Sequence, residues 1–417
     1  MSEWKKVKLG ELCDFINGGA WSDKEYASEG IPVLKVTNCK NSGFALEDLS
    51  YLPYSLQQKY SQNELRLHDV IIATVGSHPN LVNSSAGRSI IVNSLVIGFY
   101  LNQNAVCIRT KDSNIFNQLY FGYYSKYYIF QNYIQMRGKG AANQMRIAIS
   151  AIKDYPMPLP PIEEQNYIAT ILSRYDSLIE NYQKQIKLLE EAAQRLYKEW
   201  FVDLHFPGHE NTKIVDGVPE GWEKKKLYKI FTYVRGKSYT SKELANEGTI
   251  MVNLKNIQAF GGYNRDAEKR YIGSYKDDQN LNKGDLVMGV TDMTQERRLV
   301  GHVALIPDFN ESATFSMDLI KILPIELSKT FLYCTMRFGG FSKMISPLAN
   351  GVNVLHLKPE AMMGLEMLLP AKEIIKQFDN YFNNIFDKIL NSQSQIRLLT
   401  EARDRLLPKL MSGEIAV

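Results

Sequence analysis

One long unit occurs twice in tandem in this sequence, and that duplication limits the possible folds more than any local motif does. Glu25-Tyr-Ala-Ser-Glu-Gly30 aligns with Glu243-Leu-Ala-Asn-Glu-Gly248 at an offset of 218 residues, which also pairs Trp4 with Trp222 and Asn38 with Asn256. The offset drifts to 216 at Asp69-Val-Ile-Ile against Asp285-Leu-Val-Met. It falls to 210 at Asn143 against Asn353 and at Met157-Pro-Leu-Pro160 against Met367-Leu-Leu-Pro370. At that same offset Ile186-Lys-Leu-Leu-Glu-Glu-Ala-Ala-Gln-Arg-Leu196 matches Ile396-Arg-Leu-Leu-Thr-Glu-Ala-Arg-Asp-Arg-Leu406. The anchors keep their order, so two copies of one unit are separated only by small insertions.

Each copy has two parts. The first, roughly residues 1–155 and 219–368, consists of short β-type runs broken by turn residues. Ile31-Pro-Val-Leu-Lys-Val, Asp69-Val-Ile-Ile-Ala-Thr-Val and Ala105-Val-Cys-Ile-Arg are strand-sized, and Asn282-Lys-Gly-Asp285 ahead of Leu286-Val-Met is a turn followed by a strand. A mixed domain with a twisted sheet and a few helices is expected.

The second part changes period. Beyond Pro158-Leu-Pro-Pro161, which cannot lie inside a helix, apolar residues recur at Ile168, Ile171, Tyr175, Leu178, Tyr182, Ile186, Leu189, Ala193, Leu196 and Trp200. Phe378, Phe382, Ile385, Ile389, Ile396, Leu399, Leu406 and Leu410 repeat the pattern, with Ser392 and Arg403 filling the gaps. Steps of three and four give a near-heptad seam. A helix over 162–200 would be about 57 Å long at 1.5 Å per residue. A helix of that length with an apolar seam needs a partner, and each is the other's nearest one. The expected fold is α+β: two tandem mixed modules and two long helices that pair as an antiparallel intramolecular coiled coil.

Charge follows the same division. The whole chain is only +4, yet residues 1–155 carry +4 and 219–370 carry +3, while the first helix and linker (156–218) carry −4 and the tail +1. Two basic modules on a spacer that is acidic in its first half suit anion binding by the modules. Composition excludes other classes. Charged residues at 23% and hydrophobic residues at 45% are ordinary globular usage. No run approaches the roughly 18 apolar residues of a membrane helix. The Met1-Ser-Glu-Trp-Lys-Lys start lacks the apolar stretch of a secretory signal, and Cys13, Cys39, Cys107 and Cys334 form no pair motif. A soluble, cytoplasmic location is expected.

No catalytic constellation is evident. Gly236-Lys237-Ser238 has Phe231 where a phosphate-binding loop needs glycine. No Asn-Pro-Pro-aromatic motif of an amino-methyltransferase occurs. His205 and His209 have helical spacing but sit beside Phe206-Pro-Gly208, without acidic or cysteine company, so no metal site is expected. The candidate binding stretches are polar loops. Arg137-Gly-Lys-Gly-Ala-Ala-Asn-Gln-Met-Arg146 combines small residues with three cations. Arg137, Lys139 and Arg146 can neutralise phosphates, and Asn143 and Gln144 carry the amide forks that read adenine edges. Its counterpart in the second copy contains Asn350 and Asn353. A structural turn entering a strand is the alternative. Arg297 and Arg298 end a second polar loop, whose first-copy equivalent, Val75-Gly-Ser-His-Pro-Asn80, differs in sequence as two distinct recognition sites would. The aromatic run Tyr120–Phe130 reads better as an amphipathic helix on its own sheet than as a base-stacking platform.

With the tandem modules, the Pro158–Gln165 junction (Pro-Leu-Pro-Pro-x-x-Glu-Gln) and the long Leu/Ile helices in view, the chain resembles the specificity subunit of type I restriction–modification enzymes over essentially its whole length. Trp4-Lys-Lys-Val-Lys-Leu-Gly-Glu-Leu12 and Gly221-Trp-Glu-Lys-Lys-Lys-Leu227 look like that family's module starts. The second junction, Leu369-Pro-Ala-Lys-Glu-Ile374, departs by lacking the double proline and the Glu-Gln pair. The resemblance implies target-recognition domains at 1–160 and 219–370, long spacer helices at 161–203 and 371–412, and a linker at 204–218. It implies a non-catalytic protein in which each module reads one half of a bipartite, asymmetric site in double-stranded DNA. Two methyltransferase subunits and restriction/translocase subunits would be its partners. S-adenosylmethionine, ATP and Mg²⁺ would reside on those partners, with no cofactor in this chain. A non-catalytic scaffold that binds only proteins through its coiled coil is the competing reading. Glu180, Lys187 and Glu191 lie off the seam, where a partner subunit could dock.

Overall fold

The computed structural model describes residues 4–415 apart from 41–42, 47–48, 78–84, 142–143, 260 and 294–295. It divides into two compact units, residues 1–178 with 399–417 and residues 179–398. The division crosses both long helices, so each unit contains one module and a portion of each helix.

In the first unit the module is closed by pairing its first strand with its last: Lys5–Lys8 runs antiparallel to Pro156–Leu159. Inside lies a four-stranded antiparallel sheet ordered Cys13–Asn17, Ala105–Thr110, Val70–Ala73, Ser89–Ile91. Val70, Ile72, Val106 and Ile108 are fully buried on the face that meets the helices Gln118–Tyr124 and Tyr128–Gln135. Each such side chain contributes about 1.5–3 kcal/mol on leaving water. The aromatic run packs here: Tyr120, Phe121, Tyr123, Tyr124, Tyr127 and Phe130 are buried, and the Phe130 and Tyr155 rings meet edge-on at 4.8 Å. A smaller sheet sets Ile31–Leu34 against Ser50–Leu52 and, in parallel, Tyr100–Leu101.

The second unit repeats this plan. Glu223–Lys226 pairs antiparallel with Glu366–Leu369, and the central sheet runs Phe231–Arg235, Leu319–Pro324, Leu286–Gly289, Val303–Leu305. Its smaller sheet centres on Thr249–Val252, parallel to Ala313–Phe315. Gly18 and Gly236 occupy matching places where two backbones nearly touch. A Cβ at Gly18 would lie 1.9 Å from the Asn102 carbonyl oxygen, and one at Gly236 would lie 2.0 Å from that of Ser316. Gly236 is thus a crossing point between strands, which explains the Gly-Lys-Ser triplet without a nucleotide.

Two helices of 40 residues, Ile162–Phe201 and Lys372–Met411, carry the predicted period. Within the first unit Ile168, Ala169 and Leu172 share a core with Leu407, Leu410 and Met411. Within the second, Ala193, Tyr197 and Trp200 share one with Phe378, Phe382 and Phe386. In both units the early turns of one helix meet the late turns of the other, the antiparallel sense. The buried stripe is rotated from the one the sequence suggests: Leu172, Ile179 and Tyr197 are buried, whereas Leu178 is 47% exposed. The cause is that each helix also packs against its module, which widens and turns the covered face. The modules begin alike on these helices. Trp222 stacks near Phe201 and Phe206, just past the end of the first helix, and the Trp4 ring lies against Gly413, just past the end of the second.

Candidate nucleic-acid interface

The candidate loops are built where an inner strand of each central sheet runs on beyond the sheet. In the first module Val70–Ala73 continues into Val75–Gly76, which pairs with Gln144–Arg146; that strand in turn forms a hairpin with Lys139–Ala141. Lys139 lies opposite Arg146, Gly140 opposite Met145 and Ala141 opposite Gln144. Met145 is 2% exposed and anchors the hairpin, while Lys139 and Arg146 face solvent. A Cβ on Gly138 would come within 2.5 Å of the Met145 sulfur, so this glycine makes room for the anchor. Arg137 is exposed, its guanidinium 3.4 Å from the Tyr133 ring centre and its Nη1 donating to the Tyr133 carbonyl at 3.0 Å. Gln144 is in the strand; Asn143 lies outside the described residues.

In the second module Leu286–Gly289 leads into Thr291–Asp292, which pairs with Leu355–His356. Asn350 and His356 exchange backbone hydrogen bonds of 3.0 and 2.9 Å and close a hairpin over 350–356. Asn353 is exposed at its tip, and the Asn350 amide donates to the Leu348 carbonyl at 3.0 Å. The other loop begins at Met293. It is tied at its base by buried Asp292, whose Oδ2 accepts from the Leu299 amide at 2.6 Å. Arg297 sits at φ 55°, a left-handed backbone rarely taken by a long side chain, and its Nε has no hydrogen-bond partner among the described residues. Arg298 is 3.9 Å from Glu296.

The strand pairing therefore joins stretches that are 50 or more residues apart in sequence. In the second module it brings the Arg297–Arg298 loop beside the Asn350–Asn353 hairpin. In the first it brings the 139–146 hairpin beside Val75–Gly76. Sequence reasoning missed Met293 and Val352, which are 71% and 89% exposed on these two loops, and His356, which stands at the repeat position of Arg146. His356 Nδ1 is 3.2 Å from the Thr291 hydroxyl. Beneath the loops, burial lowers the pKa of His302, opposed by the Asp292 carboxylate. Among the described residues no group of three or more His, Cys, Asp or Glu side chains is placed to hold a metal ion, and no helix is long and apolar enough to cross a membrane.

The double-proline junction also has a structural reason. Gln165 is fully buried; its Oε1 accepts from the Asn117 amide at 2.8 Å, and its Nε2 donates to the carbonyls of Pro160 at 2.8 Å and Ile115 at 3.1 Å. One side chain thus locks the helix start to its module. Ile375 takes that place in the second unit, and the helix there begins at the equivalent residue all the same.

Comparison with known proteins agrees with this construction. Residues 1–191 match the family described as the type I restriction modification DNA specificity domain. The type I restriction enzyme MjaIX specificity subunit of Methanocaldococcus jannaschii is 30% identical over 280 residues, 64% of this chain and 62% of that protein, so this match spans less than two thirds of the relative. The MjaVIII specificity subunit of the same organism is 21% identical over 428 residues, covering 100% of this chain and 93% of the relative. The crystal structure of the type I restriction–modification S subunit from M. genitalium, 17% identical, superposes with a TM-score of 0.55 over 98% of this chain and 96% of that one, which shows a shared fold. The duplicated modules and the paired helices fit these likenesses: over residues 1–191 the chain is similar to the type I restriction modification DNA specificity domain, and over nearly its whole length it shares the fold of a type I restriction–modification S subunit.

Proposed function

We propose that this chain is the sequence-specific DNA-recognition subunit of a type I restriction–modification complex. Each module reads one half of a bipartite site in double-stranded DNA, and the paired helices set the gap between the halves. The observation that carries this reading is that an equivalent strand pair in each module supports flanking segments with different side chains. Arg137, Lys139, Gln144 and Arg146 stand in one, and Arg297, Arg298, Asn350 and Asn353 in the other. Equivalent scaffolds with unlike loops would read an asymmetric sequence. Cations would fix the register on the phosphates, and amides would test base edges in the major groove.

The chain performs no catalysis in this account. Two methyltransferase subunits dock on it and carry S-adenosylmethionine; restriction/translocase subunits join through them and use ATP and Mg²⁺. Selection from a random duplex pool by the chain together with its methyltransferase partner tests the reading. Enrichment of two short fixed blocks separated by a constant unread gap supports it. Recovery of DNA without sequence preference, or no recovery, would instead favour a protein-only scaffold.

A further inference from the structure

The hairpin of the first module holds two like charges face to face. Lys139 and Arg146 are register partners, both are exposed, and neither side chain has a hydrogen-bond or ion-pair partner among the described residues. Directly opposed residues on antiparallel strands share a face with Cβ atoms about 4.5–5.5 Å apart, and like charges there destabilise the pair. On its other side Arg146 is paired with Val75, which offers no counter-charge. The hairpin cannot relieve the repulsion by slipping one residue, because that would turn Met145 out to solvent and the cations inward. The repeat position of Arg146 in the second module is His356 and that of Lys139 is Ala349, so the opposed cations belong to the first module alone.

An arrangement that costs stability in the free protein and is compensated by an anion marks a binding element. We propose that Lys139 and Arg146 together clamp one backbone phosphate of duplex DNA, so that the first module grips its half-site through the backbone more strongly at this hairpin than the second does at its own. This inference rests on the proposed DNA recognition. A clamp on one phosphate contributes about −0.9 to the slope of log affinity against log salt, which amounts to about 3.5-fold between 50 and 200 mM salt.

The test uses the full-length chain, a labelled random-sequence duplex, and Lys139→Gln, Arg146→Gln and the double variant, with thermal melting beside every titration. Each single variant is expected to bind several-fold more weakly. The double variant is expected to lose about 0.9 of the salt slope in total rather than twice that, because both side chains serve one phosphate. Tm is expected to stay level or rise as the repulsion is removed. Unchanged affinity and slope in the double variant, additive slope losses, or a Tm lowered by several degrees would overturn the clamp. Salt-independent behaviour or no DNA binding by the unaltered chain would overturn the proposed function itself.

Discussion

Arg403 places Nη1 2.5 Å from Oδ1 of Asp176 and so joins the two long helices within the first unit. Asp176 Oδ2 also accepts from the Tyr123 hydroxyl at 2.7 Å, which ties the pair to the module. Because both helices are 40 residues long and match through the repeat, Asp176 corresponds to Phe386 and Arg403 to Ala193, both buried in the core of the second unit. The same seam position is ionic in one unit and apolar in the other. Removing one partner of a largely covered ion pair leaves a poorly solvated charge, whereas replacing both by packed apolar groups is often neutral. Arg403→Ala should therefore cost about 2 kcal/mol, less than for a fully buried pair because both side chains keep some solvent contact. The double variant Asp176→Phe with Arg403→Ala should recover most of that loss. Hydrogen exchange of helix amides in 165–178 and 399–411 measures both.

Gln165 offers a second, sharper test of the junction. Gln165→Ala strips partners from the Asn117 amide and from the carbonyls of Pro160 and Ile115 in a site without water access. The expected cost is about 2–4 kcal/mol, from unsatisfied polar groups plus a small cavity. Gln165→Ile, which copies Ile375, should not rescue it, because the amide's partners would remain unpaired. Thermal melting of the full chain reads the effect.

The half-buried His302 gives the second module a pH dependence. Burial holds its folded pKa below the ordinary 6.5, so the unfolded chain takes up a proton first as pH falls. The stability it permits is complete above pH 6.5 and declines as the pH drops below that value toward the folded pKa. His302→Gln should flatten this decline. Urea unfolding at pH 7.5 and 5.5, with and without the substitution, gives the comparison.

Helix length should govern the gap between half-sites. One heptad added to each long helix at facing positions lengthens the pair by about 10.5 Å, close to three base pairs of 3.4 Å. The half-site sequences should stay the same while the unread gap grows by about three. An unchanged gap in the selected DNA would remove the ruler role from the helices.

Much of the architecture was legible in the chain. The repeat pairs Trp4 with Trp222 and Asp69 with Asp285, and the period of the helices needs no knowledge of what they touch. The rotation of the seam was not legible, because Leu172 is buried by the module as well as by the other helix. Nor was the meeting of the Arg297 loop with the Asn350 hairpin, which depends on a two-residue ladder, Thr291–Asp292 with Leu355–His356, too short to leave a pattern. The opposed charges of Lys139 and Arg146 follow from hairpin register, which turns on the residues between them. Gln165 was visible as part of a motif, but two of its three hydrogen bonds reach Asn117 and Ile115, 48 and 50 residues away, and distance along the chain concealed them.

Base-resolution methylation sequencing of DNA from cells expressing this chain with its methyltransferase partner tests the central claim most directly. The account predicts adenine methylation confined to one split, asymmetric motif with a constant gap, absent when this chain is omitted. Methylation that is missing, or that falls without regard to sequence when the chain is present, would contradict it.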